Sequence, residues 1–319
     1  MAVSLIQGRP PQSYNTTENS VRNATDVNED LKRFLNEIRS KINIDLSKPV
    51  KVSNIPEIQL AELQKISLPM SITGKTAVIP DKGGFAIAGD NIALDALCVD
   101  ISAQSERIHV VEIGPGYGRL TNRLLLEKMD IIITLIDSCT ESLLYCASQL
   151  PQEHKEKVTL LNTKDITEIK TEAADYVIIN RVAHFLDEAD LNKMIESAYA
   201  SLKTGGKLFM AQLSPYNGSY RDKVLSSYSK TVEEIYDERS KTNEWPGRFL
   251  KWSEGLPEQA YNLPDGTMHL ISKETLTTQL IKAGFNVEKS GYYSASAYDQ
   301  KRTRDDKSNS WIIAVKLSK

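Results

Sequence analysis

The sequence predicts an α/β fold, with a mostly parallel sheet carrying helices on both faces. Three observations predict it. Two apolar runs, 108–113 and 131–136, flank a stretch whose Leu120, Leu124 and Leu125 fall at helical spacing. Between the first run and that stretch stands Gly114-Pro115-Gly116-Tyr117-Gly118. An acid, Asp137, closes the second run. Strand, glycine loop, helix, strand, acid is the first half of a nucleotide-binding unit.

The loop has a physical job. A ligand lying against backbone needs residues without Cβ, and the turn from strand to helix needs positive φ. The helix starting near Arg119 offers free N–H groups and a positive dipole end. A carboxylate at Asp137, about 20 residues past the last glycine, is placed to accept from both hydroxyls of a ribose. A dinucleotide fingerprint spaces its glycines G-x-G-x-x-G; here they fall as G-x-G-x-G after a glutamate.

Glu112-Ile113-Gly114-Pro115-Gly116-Tyr117-Gly118 resembles the first motif of the class I S-adenosylmethionine-dependent methyltransferases. That resemblance implies S-adenosylmethionine as cofactor. It implies that Glu112 helps hold the methionine end and that Asp137, with Ser138 beside it, binds the ribose. Gly114, Gly116, Tyr117 and Gly118 form the loop against the cofactor. The implied fold is Rossmann-like, with seven strands, helices on both faces and a last strand inserted antiparallel.

Residues 1 to about 28 are polar, rich in Asn, Ser and Thr, and carry Pro10-Pro11; they are expected to lack fixed structure alone or to wrap over the domain. From Asn28 the pattern turns helical, with Leu31, Phe34, Leu35 and Ile38 on one face. Residues 47–56 read as a proline-bounded loop and 58–66 as a short second helix. Residues 1–70 are thus expected to form an N-terminal extension that ends as a helical cap, and 71–319 the methyltransferase-like domain. Residues 73–90 are glycine-rich; Gly74-Lys75-Thr76 is no phosphate loop, because Pro69 stands where its upstream glycine belongs. Residues 91–101 read as a helix before the first strand. In the family such a helix closes the cofactor site, which places Phe85 and Asn91 near it.

Past Asp137, 140–150 reads as a helix with Thr140 at its N-cap. Residues 158–161 are the third strand. The resemblance implies that Asp165, after it, bonds the adenine amino group and that Ile166 touches the ring. The fourth strand, 174–180, leads into Arg181-Val182-Ala183-His184. Open α/β sheets bind ligands at strand carboxyl ends, so Asn180, Arg181 and His184 are expected to face the cleft; this stretch resembles the family's fourth motif, which implies that Asn180 and Arg181 lie beside the methyl donor. A helix at 188–202 is expected to cap at Gly205-Gly206 before a fifth strand at 207–213. Then comes an insertion at about 216–265, rich in aromatics, among them Tyr216, Tyr220, Trp245 and Trp252. Those four, with His269, are the candidate substrate wall; an aromatic lining suits a planar, apolar or cationic acceptor. The equal alternative is a small subdomain whose aromatics fill its own core. A helix after Ser272, a strand near 287–293 and a last strand at 311–315 complete the pattern.

The predicted activity is methyl transfer to an oxygen or nitrogen acceptor. His184 is the candidate general base, needed where the acceptor carries a proton of high pKa. The alternatives are a nicotinamide-dependent oxidoreductase and a catalytically silent interaction module; the glycine spacing disfavours the first, the intact loop and both acids the second. A net charge of −3 gives no electrostatic reason to bind nucleic acid or an anionic membrane. A small-molecule acceptor is expected, with a protein acceptor as second choice. Three cysteines in no metal spacing, no apolar run of about 18 residues and no secretory signal point to a metal-free cytoplasmic protein.

Overall fold

In the computed structural model the chain is described over residues 24–69, 77–78, 85–86, 92–128, 130–163, 165–167, 169, 171, 173–217, 224–225, 229–242, 244–249, 268–293 and 307–318. Helix α1 (Ala24–Lys41) is followed by β1 (Val50–Lys51), α2 (Glu57–Leu63) and α3 (Ile92–Ser102). The central unit alternates: β2 (Ile108–Ile113), α4 (Arg119–Glu127), β3 (Ile131–Asp137), α5 (Thr140–Ser148), β4 (Val158–Asn162), β5 (Ala174–Asn180), α6 (Glu188–Ser201) and β6 (Leu202–Leu213). Helix α7 (Val232–Ser240) lies in the insertion, and α8 (Lys273–Lys282), β7 (Phe285–Tyr293) and β8 (Asn309–Lys316) end the chain.

The sheet runs β1-β4-β3-β2-β5-β6-β8-β7. The pairs β2–β3, β3–β4, β2–β5 and β5–β6 are parallel, whereas β8 lies antiparallel to both β6 and β7. The final strand thus inserts antiparallel, as the resemblance implied. The sheet has eight strands, not seven. The extra one is β1, which the prolines hide in an apparent loop and which adds antiparallel to the β4 edge through Val50↔Leu160. From β2 the chain winds outward through β3 and β4, then returns to lay β5 on the other side of β2. The strand order reverses there, and a crevice opens at the carboxyl ends.

Alternation sorts the strands between two core layers. Val110, Leu135, Leu160 and Ile178 pack under α3, α4, α5 and the N-terminal helices. Val111, Ile113, Ile136, Val177 and Ile179 pack under α6 and α8. Caps follow elementary chemistry. Asp187 accepts from the Asp190 N–H at 2.9 Å, Ser272 from the Thr275 N–H at 3.2 Å, and Thr231 with Glu234 forms a capping box on α7.

Two expectations need correction. Helix α6 ends at Ser201 with no glycine cap, and β6 begins at once with Leu202, extended and buried. Lys316 does the glycine's work: its ammonium donates to the carbonyls of Tyr199 and Leu202, both at 2.7 Å. Gly205, at φ 80°, is instead taken up within β6, where the register with β5 shifts between Ala174 and Tyr176. On α5 the N-cap is Cys139, and Thr140 is the first helical residue.

Candidate active site

The crevice is built from strand ends. Counting back by two places Glu112 with Val110, Asp137 with Leu135 and Asn180 with Ile178, all on the face under α3–α5. Three hydrogen-bond acceptors therefore stand on one side of the sheet at the point of strand reversal. Gly114, Gly116 and Gly118 have φ of 66°, 55° and 78°. A Cβ on Gly114 would run into Val182 Cγ2, and one on Gly118 into Cys146 Sγ. These two glycines let the loop close onto its own protein, while Gly116 turns the chain between them. The loop is tied back to β3 by the Gly114 N–H donating to Ile136 O at 2.8 Å. It then feeds α4, with Gly118 as N-cap.

Glu112 is buried, 2% exposed, and accepts from the Thr121 hydroxyl at 2.6 Å. Burial pushes its carboxyl up to about 7; the Thr121 bond opposes this and the charge of Asp137 adds to it. Asp137, 9% exposed, uses Oδ1 to accept from the Cys139 N–H at 2.9 Å, which fixes the β3–α5 turn. Ser138, in that turn, is half-buried. Tyr117 is also half-buried, with its ring edge-on to Phe34 of α1 and Tyr145 of α5. Neither Thr121 nor the two rings stood out in the sequence: a threonine in a helix and aromatics on apolar faces carry no mark of a site.

The acceptor side is arranged differently. Asn180 Oδ1 is buried with no hydrogen-bond partner among the described residues, and so is His184 Nδ1. Arg181 follows at φ 61°, a left-handed conformation costly for a residue with a Cβ. Its N–H donates to Ala211 O at 2.6 Å and its guanidinium to Asn309 Oδ1 at 2.7 Å, anchoring the end of β5 to β6 and β8. Burial, with the nearby Arg181 and His269, pushes His184 down to about 3, so its imidazole is neutral. His269, also buried, accepts from Trp245 Nε1 at 2.5 Å through Nε2, which leaves the ring proton on Nδ1. Trp245, His269 and His184 thus form one patch beside the end of β5.

The remaining candidates are dispersed. Asp165 is exposed; its Oδ1 accepts from Thr167 and its Oδ2 pairs with Lys193 at 2.7 Å. These partners hold its carboxyl down to about 2, the Lys193 bond most of all. Ile166 packs on the α6 side of the sheet. Tyr216 belongs to a ring cluster with Tyr236 and Tyr292, at centroid distances of 6.1 and 5.9 Å, with the Lys307 ammonium 5.7 Å from its ring. Tyr220 and Trp252 lie outside the described residues, as do Asn91 and the side chain of Phe85. Among the described residues, no group of three or more His, Cys, Asp or Glu side chains is placed to hold a metal ion. No described helix is long and apolar enough to cross a membrane.

Residues 111–208 match the family model of a methyltransferase domain. No curated protein matches the chain. Among solved structures, a SAM-dependent methyltransferase from Methanosarcina mazei is similar at 16% identity and a TM-score of 0.48, over 69% of this chain and 98% of that one. A putative S-adenosylmethionine-dependent methyltransferase from Listeria monocytogenes is similar at 13% identity and a TM-score of 0.49, over 71% and 99%. The glycopeptide N-methyltransferase MtfA complexed with sinefungin is similar at 16% identity and a TM-score of 0.49, over 75% and 90%.

Proposed function

We propose that this chain, whose residues 111–208 match the model of a methyltransferase domain, is a class I methyltransferase that moves a methyl group from S-adenosylmethionine to an oxygen or nitrogen acceptor on a small molecule. One observation carries the reading: Glu112, Asp137 and Asn180 share the face of the sheet that flanks a left-handed glycine loop. All three are acceptors, and a ribose and an amino-acid ammonium are donors, so the residues fit the group. Glu112 would take the methionine end, Asp137 and Ser138 the ribose. Gly114, Gly116, Tyr117 and Gly118 would lie along the nucleoside, with Asp165 and Ile166 towards the adenine. Asn180 and Arg181 would stand beside the methyl donor.

When bound, the sulfonium supplies an electrophilic methyl carbon, so the chain's own work is alignment and exclusion of water. Asn180, with an unpartnered buried oxygen, is suited to accept a hydrogen bond from an N–H or O–H nucleophile and hold its lone pair towards the donor. His184 would accept the proton of a hydroxyl or ammonium acceptor. Its burial makes it a weak base, which places its contribution at the low end of the roughly 10²–10⁴-fold that general bases supply. Tyr216, Trp245 and His269, with Tyr220 and Trp252 of the insertion, would form the acceptor wall.

Calorimetric comparison of S-adenosylhomocysteine with NAD tests the donor; binding of NAD alone would overturn it. Incubation with methyl-labelled donor and separated small-molecule, protein and RNA pools tests the acceptor. Label is expected in the small-molecule pool, and label in RNA or protein would replace that class.

A further inference from the structure

Between Gly116 and Gly118 the loop carries one side chain, Tyr117, and one of the two rings packed on it, Phe34, comes from outside the matched residues 111–208. Phe34, on α1, is 2% exposed and meets Tyr117 edge-on at 5.8 Å and 77°. Tyr145, on α5, meets Tyr117 at 5.3 Å and Phe34 at 5.5 Å. Each of the three rings touches the other two, and each comes from a different element: N-terminal helix, glycine loop, and the helix after Asp137.

Helix α1 is itself fixed to the domain. Arg39 Nε pairs with Glu141 at 2.5 Å on the first turn of α5, while Ile38 and Ile42 are buried in the same layer as Leu143 and Leu144. The chain after α1 is bound too. Leu46 O accepts from the Asn162 N–H at 2.7 Å, the Gln64 amide donates to Ser148 O, and Lys155 pairs with Glu57 at 2.5 Å. A helix held this way presents Phe34 to Tyr117 as a stationary ring. The loop, which has no other side chain between its last two glycines, is clamped through it.

We propose that Phe34 is a positioning residue for the cofactor: α1 sets the glycine loop through the Phe34–Tyr117–Tyr145 cluster and thereby sets affinity for the adenosine-bearing donor. The inference rests on the reading that this loop holds that donor. It makes α1 part of the binding machinery.

The experiment uses the full chain. Phe34→Leu removes the ring and keeps most of the volume. It is expected to weaken S-adenosylhomocysteine binding by about tenfold, the scale of one or two lost ring pairs, and to speed amide exchange at residues 116–118. Leu60→Ala, a fully buried change on α2, a helix that carries none of the three rings, is the control: it should lower Tm and leave both readouts within about twofold. If the Phe34 variant does not fold, Tyr145→Leu carries the same expectation. Normal binding and normal loop exchange in a Phe34 or Tyr145 variant would sink the clamp, and so would an equal loss in Leu60→Ala. If the wild-type chain binds no S-adenosylhomocysteine, the donor reading falls and takes the cofactor half of this inference with it.

Discussion

The two halves of the carboxyl edge are built on opposite terms. Over β2 and β3 the polar side chains already have local partners: Glu112 holds the Thr121 hydroxyl, and Asp137 Oδ1 holds the Cys139 N–H. The loop between them is fixed by left-handed glycines packed onto Val182 and Cys146. At and beyond the end of β5, Asn180 Oδ1 and His184 Nδ1 are buried with no hydrogen-bond partner among the described residues. Buried polar atoms seldom stay unpaired, and each costs about 1–3 kcal/mol while it does. The first half is preorganised by its own chain. The second stores a deficit that a ligand's donors would relieve. Under the proposed function, this difference would let one sheet edge hold a fixed cofactor and accept a variable partner.

The change expected to break the first half most severely is Gly118→Val. The residue sits at φ 78°, and any Cβ there enters Cys146 Sγ. Left-handed strain and overpacking together are expected to cost about 4 kcal/mol, read as a lowered urea midpoint. A valine variant as stable as wild type would mean the loop does not close on α5.

Next in size is Asp137→Ala, expected to weaken S-adenosylhomocysteine binding roughly 300-fold, the worth of two charge-assisted hydrogen bonds to a ribose. Asp137→Asn keeps an acceptor for the Cys139 N–H and separates turn geometry from charge. If asparagine binds like wild type, the carboxylate is structural and the first half is only a turn.

This asymmetry also decides what was legible in the sequence. Glu112, the glycines and Asp137 lie within 26 consecutive residues, so strand, loop, helix and closing acid could be read from local spacing, while the cofactor roles of the two acids came from resemblance. The antiparallel last strand came from resemblance. The acceptor half depends on contacts that no local pattern carries: Arg181 reaches Asn309 across 128 positions, and Trp245 reaches His269 from within the insertion, 24 positions away. The β6 start is hidden for the same reason, since the cap of α6 is Lys316, more than a hundred residues away. β1 is hidden because two residues in a proline-bounded stretch give no periodicity; only the open edge of β4 makes them a strand.

Glu112→Gln sharpens the comparison through pH. The carboxyl has its ordinary value of 4.5 in the unfolded chain and about 7 in the fold. Between these values the native state binds more protons than the unfolded one, so the wild-type chain loses stability as pH rises from 4.5 to 7 and levels off above. The glutamine variant escapes that loss. It should match wild type near pH 4.5 and exceed it at pH 8 by about 3 kcal/mol, while binding S-adenosylhomocysteine more weakly. Wild-type affinity should rise through pH 7, because the methionine ammonium selects the ionised carboxylate. A wild-type chain more stable than the variant at pH 8 would mean that Glu112 is better solvated than its burial indicates.

The smallest effect is expected at Asp165, and it tests whether the adenine end belongs with the fixed half at all. Its two oxygens are taken by Thr167 and Lys193, and the side chain lies in solvent. A carboxylate held near 2 by an exposed lysine gains little from exchanging that partner for an adenine amino group, since exposed pairs and the bonds replacing them differ by only about 0–1 kcal/mol. Asp165→Ala should therefore change S-adenosylhomocysteine affinity by less than about threefold. A loss near 100-fold would place Asp165 beside Asn180 among the groups that change partners when ligand arrives. The preorganised half would then end at the ribose.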